Sequence, residues 1–297
     1  MKTQRARTVF AFLAGAVALS LTAGCGDTPT DADEGMVGNG SWYSSGYHWP
    51  HDGNPLETPH FVIYSDAASL EARRKLGDIA EELITKVMED LEVDPATMFK
   101  WPSGQTKLHI YTYRDHYEQS WGGKGYYGGL IIWSLDHPIR NTEIDNYRRV
   151  VTHELTHTIQ NLLAGTVNPK LVDIWVTEGI AEHLSGGTST PGNITSLAML
   201  DSLAAVHGGL NPISMHAYED FPYLDMGTLY LYPMFELSVR YLLDPEGLGL
   251  PASSIRDMII DGGEGAAFPA SFEEKLGIGL QQFEDEYWVR IRAYLSR

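Results

Sequence analysis

A stretch from about Thr142 to Leu163 limits this chain more than any other feature. Val150, Val151, Leu155, Ile159, Leu162 and Leu163 recur there at helical spacing, so the segment is expected to form a helix with its apolar side on a core. Within it stands His153-Glu154-Leu155-Thr156-His157. On a helix, residues four apart project from one face, about one turn from each other. Both imidazoles can therefore meet one metal ion. Glu154 sits roughly 100° around from His153, off the line of the ligands, and suits a base that takes a proton from an attacking water. The pentapeptide alone can arise by chance; its place inside a helical pattern gives it weight.

The first 24 residues are not expected in the fold. Lys2, Arg5 and Arg7 form a positive start, and Val9 to Leu21 is an apolar run too short to span a membrane stably as a mature helix. It ends in Leu21-Thr-Ala-Gly-Cys25, small residues ahead of the only cysteine. This resembles a bacterial lipobox, although Thr22 stands where Leu is commoner. It implies export and a lipid anchor on Cys25, with Gly26 directing the chain to the outer membrane if the organism has two membranes. A plain secretory signal is the alternative. One cysteine allows no internal disulfide, so the fold must stand on its core and its metal. The formal net charge of −18 argues against nucleic acid as a partner, since phosphate contacts need Lys and Arg.

Residues 25–57 read as a polar, acidic tether, whose aromatic residues Trp42, Tyr43, Tyr47 and Trp49 suggest that its later part docks on the domain. Residues 58–297 read as one catalytic unit with a sheet lobe at about 58–141 and a helical lobe at about 142–297. Strands are expected at Phe61–Tyr64, Lys107–Tyr113 and Gly129–Leu135, with a helix over Leu70–Leu91. The Gly122-Gly-Lys-Gly-Tyr-Tyr-Gly-Gly run reads as a flexible rim, and it lacks the Ser or Thr that a phosphate loop needs. Later helices are expected at Val172–Leu184, Ile194–Val206, Leu229–Leu243 and from Phe272 to the end. The pattern is α+β.

A catalytic zinc needs three protein ligands and an open position. The metzincin pattern would place glycine at 160 and histidine at 163, where Gln160 and Leu163 stand. Twenty-one residues after His157 comes Trp175-Val-Thr-Glu178-Gly-Ile-Ala-Glu182. With this second motif, residues 60 to 297 resemble the gluzincin zinc metallopeptidases, closest to the bacterial peptidase-MA-like domains. The resemblance implies a thermolysin-like zincin fold: a small N-terminal sheet with helices, the active-site helix, then a mainly helical lobe. It makes His153, His157 and Glu178 the ligands of one Zn2+. Glu182 is implied to hold the first histidine by its other ring nitrogen; that it is itself a ligand, or a solvated carboxylate, stays open. Leu229-Tyr230-Leu-Tyr232-Pro-Met-Phe-Glu-Leu-Ser-Val-Arg240-Tyr-Leu resembles the family's segment in which a Tyr begins the helix. That resemblance implies Tyr232 as the oxyanion donor, with Tyr230 the runner-up and simple packing of both the alternative.

The family also binds extended peptides as an added strand on its sheet edge, which points to Gly129, Leu130 and Ile131. The Gly-x-Met-Glu-Asn stretch of the aminopeptidase relatives is missing from that strand, which argues against an exopeptidase. His48, His51, His109, His183, His207 and His216 match no ligand spacing and are expected to be packed or surface residues. The resulting expectation is an exported, lipid-anchored zinc endopeptidase acting on peptides or proteins. Two competing readings remain: a zincin fold that binds zinc and peptide without turnover, serving envelope assembly, and a structural zinc closed by a fourth ligand. Oligomeric state is not legible, and other divalent ions also suit two His and one Glu.

Overall fold

The computed structural model describes residues 54–65, 70–94, 106–114, 122–126, 129–134, 144–165, 172–187, 192–206, 208–214, 216 and 230–297. The lipobox, Cys25 and nearly all of the tether lie outside the described residues, as do His48, His51 and His207. Five strands, β1 (Leu56–Glu57), β2 (Phe61–Ser65), β3 (Leu108–Arg114), β4 (Gly122–Tyr126) and β5 (Gly129–Ser134), form one sheet in the order β1-β2-β3-β5-β4. Strands β2, β3 and β5 run parallel; β1 and β4 lie antiparallel to their neighbours at the two ends. Alternation along β2 and β3 sends Phe61, Ile63, Leu108 and Ile110 into the core, each fully buried. Val62, Tyr64 and His109 occupy the other face, where Tyr64 stacks on Tyr111 with ring centroids 4.8 Å apart.

Helix α1 (Leu70–Asp90) presents Leu76, Ile79, Ala80, Leu83, Ile84 and Val87 to the same core, the i, i+3, i+4 pattern of a helix lying on a sheet. Its Glu81 staples the β1–β2 hairpin, accepting hydrogen bonds from the Thr58 hydroxyl at 2.5 Å and the His60 backbone N–H at 2.7 Å. Partial burial pushes this carboxyl up, but those bonds outweigh it and hold it below its ordinary value. Helix α2 (Ile144–Ala164) packs on α1 and along β4 and β5. The second half is helical: α3 (Ile174–Ser185), α4 (Leu197–Val206), α5 (Tyr232–Leu243), α6 (Ala252–Gly263), α7 (Phe268–Leu276) and α8 (Leu280–Leu295). Around Trp175, fully buried on α3, gather Phe268, Phe272 and Phe283 at centroid distances of 6.1–6.3 Å. The chain is thus α+β, mainly helical with a small sheet.

Four expectations are corrected. Gly122–Tyr126 is strand β4, paired antiparallel with β5, not a loose rim. Glycine weakens a strand but still has both ladder groups, and only two residues separate the two strands. Strand β5 consequently has β3 on one side and β4 on the other. Gly129, Leu130 and Ile131 therefore offer no free edge to an added strand; among the described residues that edge belongs to β4. Leu56 and Glu57, assigned to the tether, pair with Ile63 and Val62 and belong to the sheet. The stretch expected as one helix from Phe272 to the end is two, α7 and α8. Gly277, at φ 68°, ends α7 in the left-handed conformation that glycine adopts freely. Helix α6 had not been anticipated, although Ile255, Met258 and Ile259 carry its helical spacing.

Candidate metal centre

Helix α2 is buried on almost every side. Val150, Val151, Leu155 and Ile159 face the apolar core, while His153, Glu154, Thr156 and Thr158 are also no more than 3% exposed. Its threonines answer their own burial by bonding back one turn: Thr152 Oγ1 to the Arg148 carbonyl at 2.8 Å, Thr156 Oγ1 to Thr152 at 2.8 Å, and Thr158 Oγ1 to Glu154 at 3.0 Å. The two imidazoles project from one face, centroids 4.7 Å apart.

Helix α3 brings the third group. Glu178 Oε2 lies 3.3 Å from the Nε2 of His153 and 3.3 Å from that of His157, and the two Nε2 atoms are 3.0 Å apart. A tetrahedral zinc with bonds of about 2.0–2.1 Å has ligand–ligand edges of about 3.3–3.4 Å, so these three atoms already occupy three corners of such a site. Two neutral nitrogens and one carboxylate oxygen form a zinc-type donor set, and the group can hold a metal ion. Burial alone would push the Glu178 carboxyl up; when the imidazoles are protonated, the charge on His157 and the bonds from both rings outweigh it and hold it well below the carboxylate range. A carboxylate at 2% exposure facing two imidazole nitrogens fits a cation at the point where the three atoms converge.

Glu182, one turn on from Glu178, lies on the other side of the first imidazole, its Oε1 3.3 Å from His153 Nδ1. It therefore faces the ring nitrogen turned away from the convergence point and is not among the three converging groups. Glu154 is 2% exposed on the same helix as the histidines and is not among the converging atoms.

The two tyrosines separate clearly. The Tyr230 hydroxyl donates to the Leu210 carbonyl at 2.7 Å, and burial pushes this phenol up to about 12. The Tyr232 ring, at the head of α5, lies 6.4 Å from the His153 ring. Helices α3 and α5 are close enough that a Cβ on Gly179 would stand 2.6 Å from the Phe235 carbonyl oxygen. Helix α5, which carries Tyr232 at its head, is thus held close against the helix that carries Glu178. Neither Gly179 nor Gln160 carries a local sequence signal for its place beside the site. Gln160 is in fact 2% exposed and hydrogen-bonded to His157 and to Thr177.

The remaining described histidines stay away from the cluster. His183 Nδ1 lies 3.2 Å from Glu236 Oε1 across α3 and α5, and His216 Nδ1 lies 2.8 Å from Asp173 Oδ2. His109 packs beside Tyr64 and Tyr111, and burial lowers its pKa. No described helix is long and apolar enough to cross a membrane.

No protein-family model matches the sequence. No curated protein matches it either. Among solved structures, the chain is similar to an aminopeptidase N family protein from Idiomarina loihiensis, with a TM-score of 0.47 and 12% identity over 78% of this chain. The match spans 46% of that protein.

Proposed function

We propose that the chain hydrolyses peptide bonds as a zinc-dependent endopeptidase of the gluzincin kind, with a thermolysin-like arrangement of its site. The observation that carries this reading is the buried convergence of His153, His157 and Glu178 at 3.0–3.3 Å beside Glu154. Zinc held there would supply Lewis acidity to the substrate carbonyl and to the attacking water. Glu154 takes the proton from that water and passes it to the leaving amine nitrogen, so one carboxylate serves as base and then acid. Glu182 steadies the first histidine. The Tyr232 hydroxyl donates to the oxygen that gains charge as the carbonyl carbon becomes tetrahedral, a role supported by its ring lying 6.4 Å from that of His153. An extended substrate would pair with the edge of β4, whose backbone binds without demanding a sequence. The position of Glu182, on the far side of His153 from the convergence point, favours an open catalytic site over a closed structural one.

Residues 26–297, produced without the leader, are expected to bind about one zinc per chain, as one three-ligand site should. His153→Ala, His157→Ala and Glu178→Ala should each abolish binding, read by metal analysis after dialysis. Retention of full zinc by Glu178→Ala together with its loss in Glu182→Ala would reverse the ligand assignment.

The reading extends to an exported protein held on the cell envelope by a lipid on Cys25, at the outer membrane in an organism with two. Two or more acyl chains attach stably where a single one does not. Cys25→Ala is therefore expected to move the protein from the membrane fraction to the soluble one; a variant that still sediments with membranes overturns the anchor.

A further inference from the structure

We infer that Gln160 is a positioning residue that decides which ring nitrogen of His157 carries the proton. Its side-chain amide bridges two helices. Nε2 donates to the Thr177 carbonyl at 2.8 Å, and Oε1 lies 2.9 Å from His157 Nδ1. A carbonyl oxygen can only accept, so Thr177 fixes the amide with its NH2 toward α3 and its oxygen toward the imidazole. That oxygen can also only accept, so Nδ1 of His157 must carry the hydrogen. The neutral ring is then left with its lone pair on Nε2, the atom 3.0 Å from His153 Nε2 and 3.3 Å from Glu178 Oε2.

At 2% exposure Gln160 is poorly placed to trade either bond for bulk water. Its two partners belong to the site: His157 itself, and the residue immediately before Glu178. One uncharged side chain thus sets the ring of one ligand and ties it to the helix supplying another. The two histidines are supported differently, His153 by the carboxylate of Glu182 and His157 by this neutral amide. An anionic partner makes an imidazole a stronger donor than a neutral one does. A neutral partner on the second ring selects its tautomer without adding charge to a site that already holds Glu178 and Glu182.

The link to metal affinity rests on the proposed zinc site; the tautomer does not. Long-range 15N–1H spectra of the zinc-free protein, at a pH where the ring is neutral, should show His157 carrying its hydrogen on Nδ1. Gln160→Met, which fills similar space without either bond, should give a mixture of tautomers. It should also raise the zinc dissociation constant, measured by chelator competition, about 10–100-fold. Gln160→Glu keeps an acceptor oxygen for Nδ1–H in either protonation state, and should retain the wild-type tautomer and most of the affinity. Three results would each overturn the inference. The first is wild-type His157 protonated on Nε2. The second is a Gln160→Met protein with unchanged tautomer and affinity. The third is Gln160→Glu losing as much as Gln160→Met, the mark of packing alone. A wild type that binds no zinc while its tautomer follows residue 160 would sink the zinc reading and leave this one standing.

Discussion

Glu154→Gln is expected to lower peptide hydrolysis by about two to four orders of magnitude, the usual size of a general-base contribution, with zinc content and fold unchanged. The amide has nearly the shape of the carboxylate, so a site buried to 2% exposure needs no repacking to hold it. Glu154 is not one of the three converging ligand groups, which separates catalysis from metal binding in a single variant. The measurement is kcat/KM on a peptide that the wild type cleaves from an unbiased mixture, with metal analysis on the same samples. Equal cleavage by the variant would place the chemistry elsewhere in the chain. A wild type that binds zinc and peptides as well as Glu154→Gln does, yet cuts nothing, would make the protein a binder instead of an enzyme.

Gly179→Ala is expected to act from outside the ligand set. The added Cβ would lie 2.6 Å from the Phe235 carbonyl oxygen, 3.0 Å from its carbon and 2.6 Å from Val239 Cγ2. Two of these atoms are backbone, and side-chain rotation cannot relieve them; helices α3 and α5 must separate. Overpacking of this kind costs about 1–3 kcal/mol and occasionally more. In a protein of this size each kcal/mol lowers the unfolding midpoint by about 2–4 °C, so a fall of up to about 10 °C is expected by calorimetry. Because α5 carries Tyr232 at its head and α3 carries Glu178 beside the glycine, activity should fall further than stability alone explains. Tyr232→Phe supplies the comparison, since it removes the hydroxyl without moving a helix. A Gly179→Ala protein with the wild-type midpoint would show that the two helices can part at no cost.

The legible portion of the site lay in positions that one helix relates. His153, Glu154 and His157 share α2, and four-residue spacing has one geometric meaning there. Glu178 and Glu182 stand one turn apart on α3 for the same reason. Contacts between elements were not legible. Nothing local in Gly129–Ser134 says that β4, earlier in the chain, takes the outer place in the sheet, so the free edge was assigned to the wrong strand. Tyr230 and Tyr232 differ only in what lies opposite them: a Leu210 carbonyl for one and His153 for the other. Gln160 reads as an ordinary polar helix residue until the Thr177 carbonyl arrives from α3.

The threonine back-bonds of α2 have a consequence for how the centre comes into being. The helix is rich in residues that are weak helix formers in isolation: Thr152, Thr156, Thr158, Val150, Val151, Ile159, Asn161 and both histidines. A 21-residue segment of this kind would be mostly coil in water if cut out of the protein, because helix initiation is costly and its propagation here is poor. The imidazoles therefore meet only after α1, α3 and the sheet have closed around them. An ion that binds that arrangement and not the unfolded chain adds its occupancy to the folding equilibrium, about 4 kcal/mol at a free concentration a thousand times its dissociation constant. In a chain with a single cysteine, no internal disulfide can share that burden. Under the proposed zinc reading, the supply of free metal would thereby set part of the folded fraction at equilibrium.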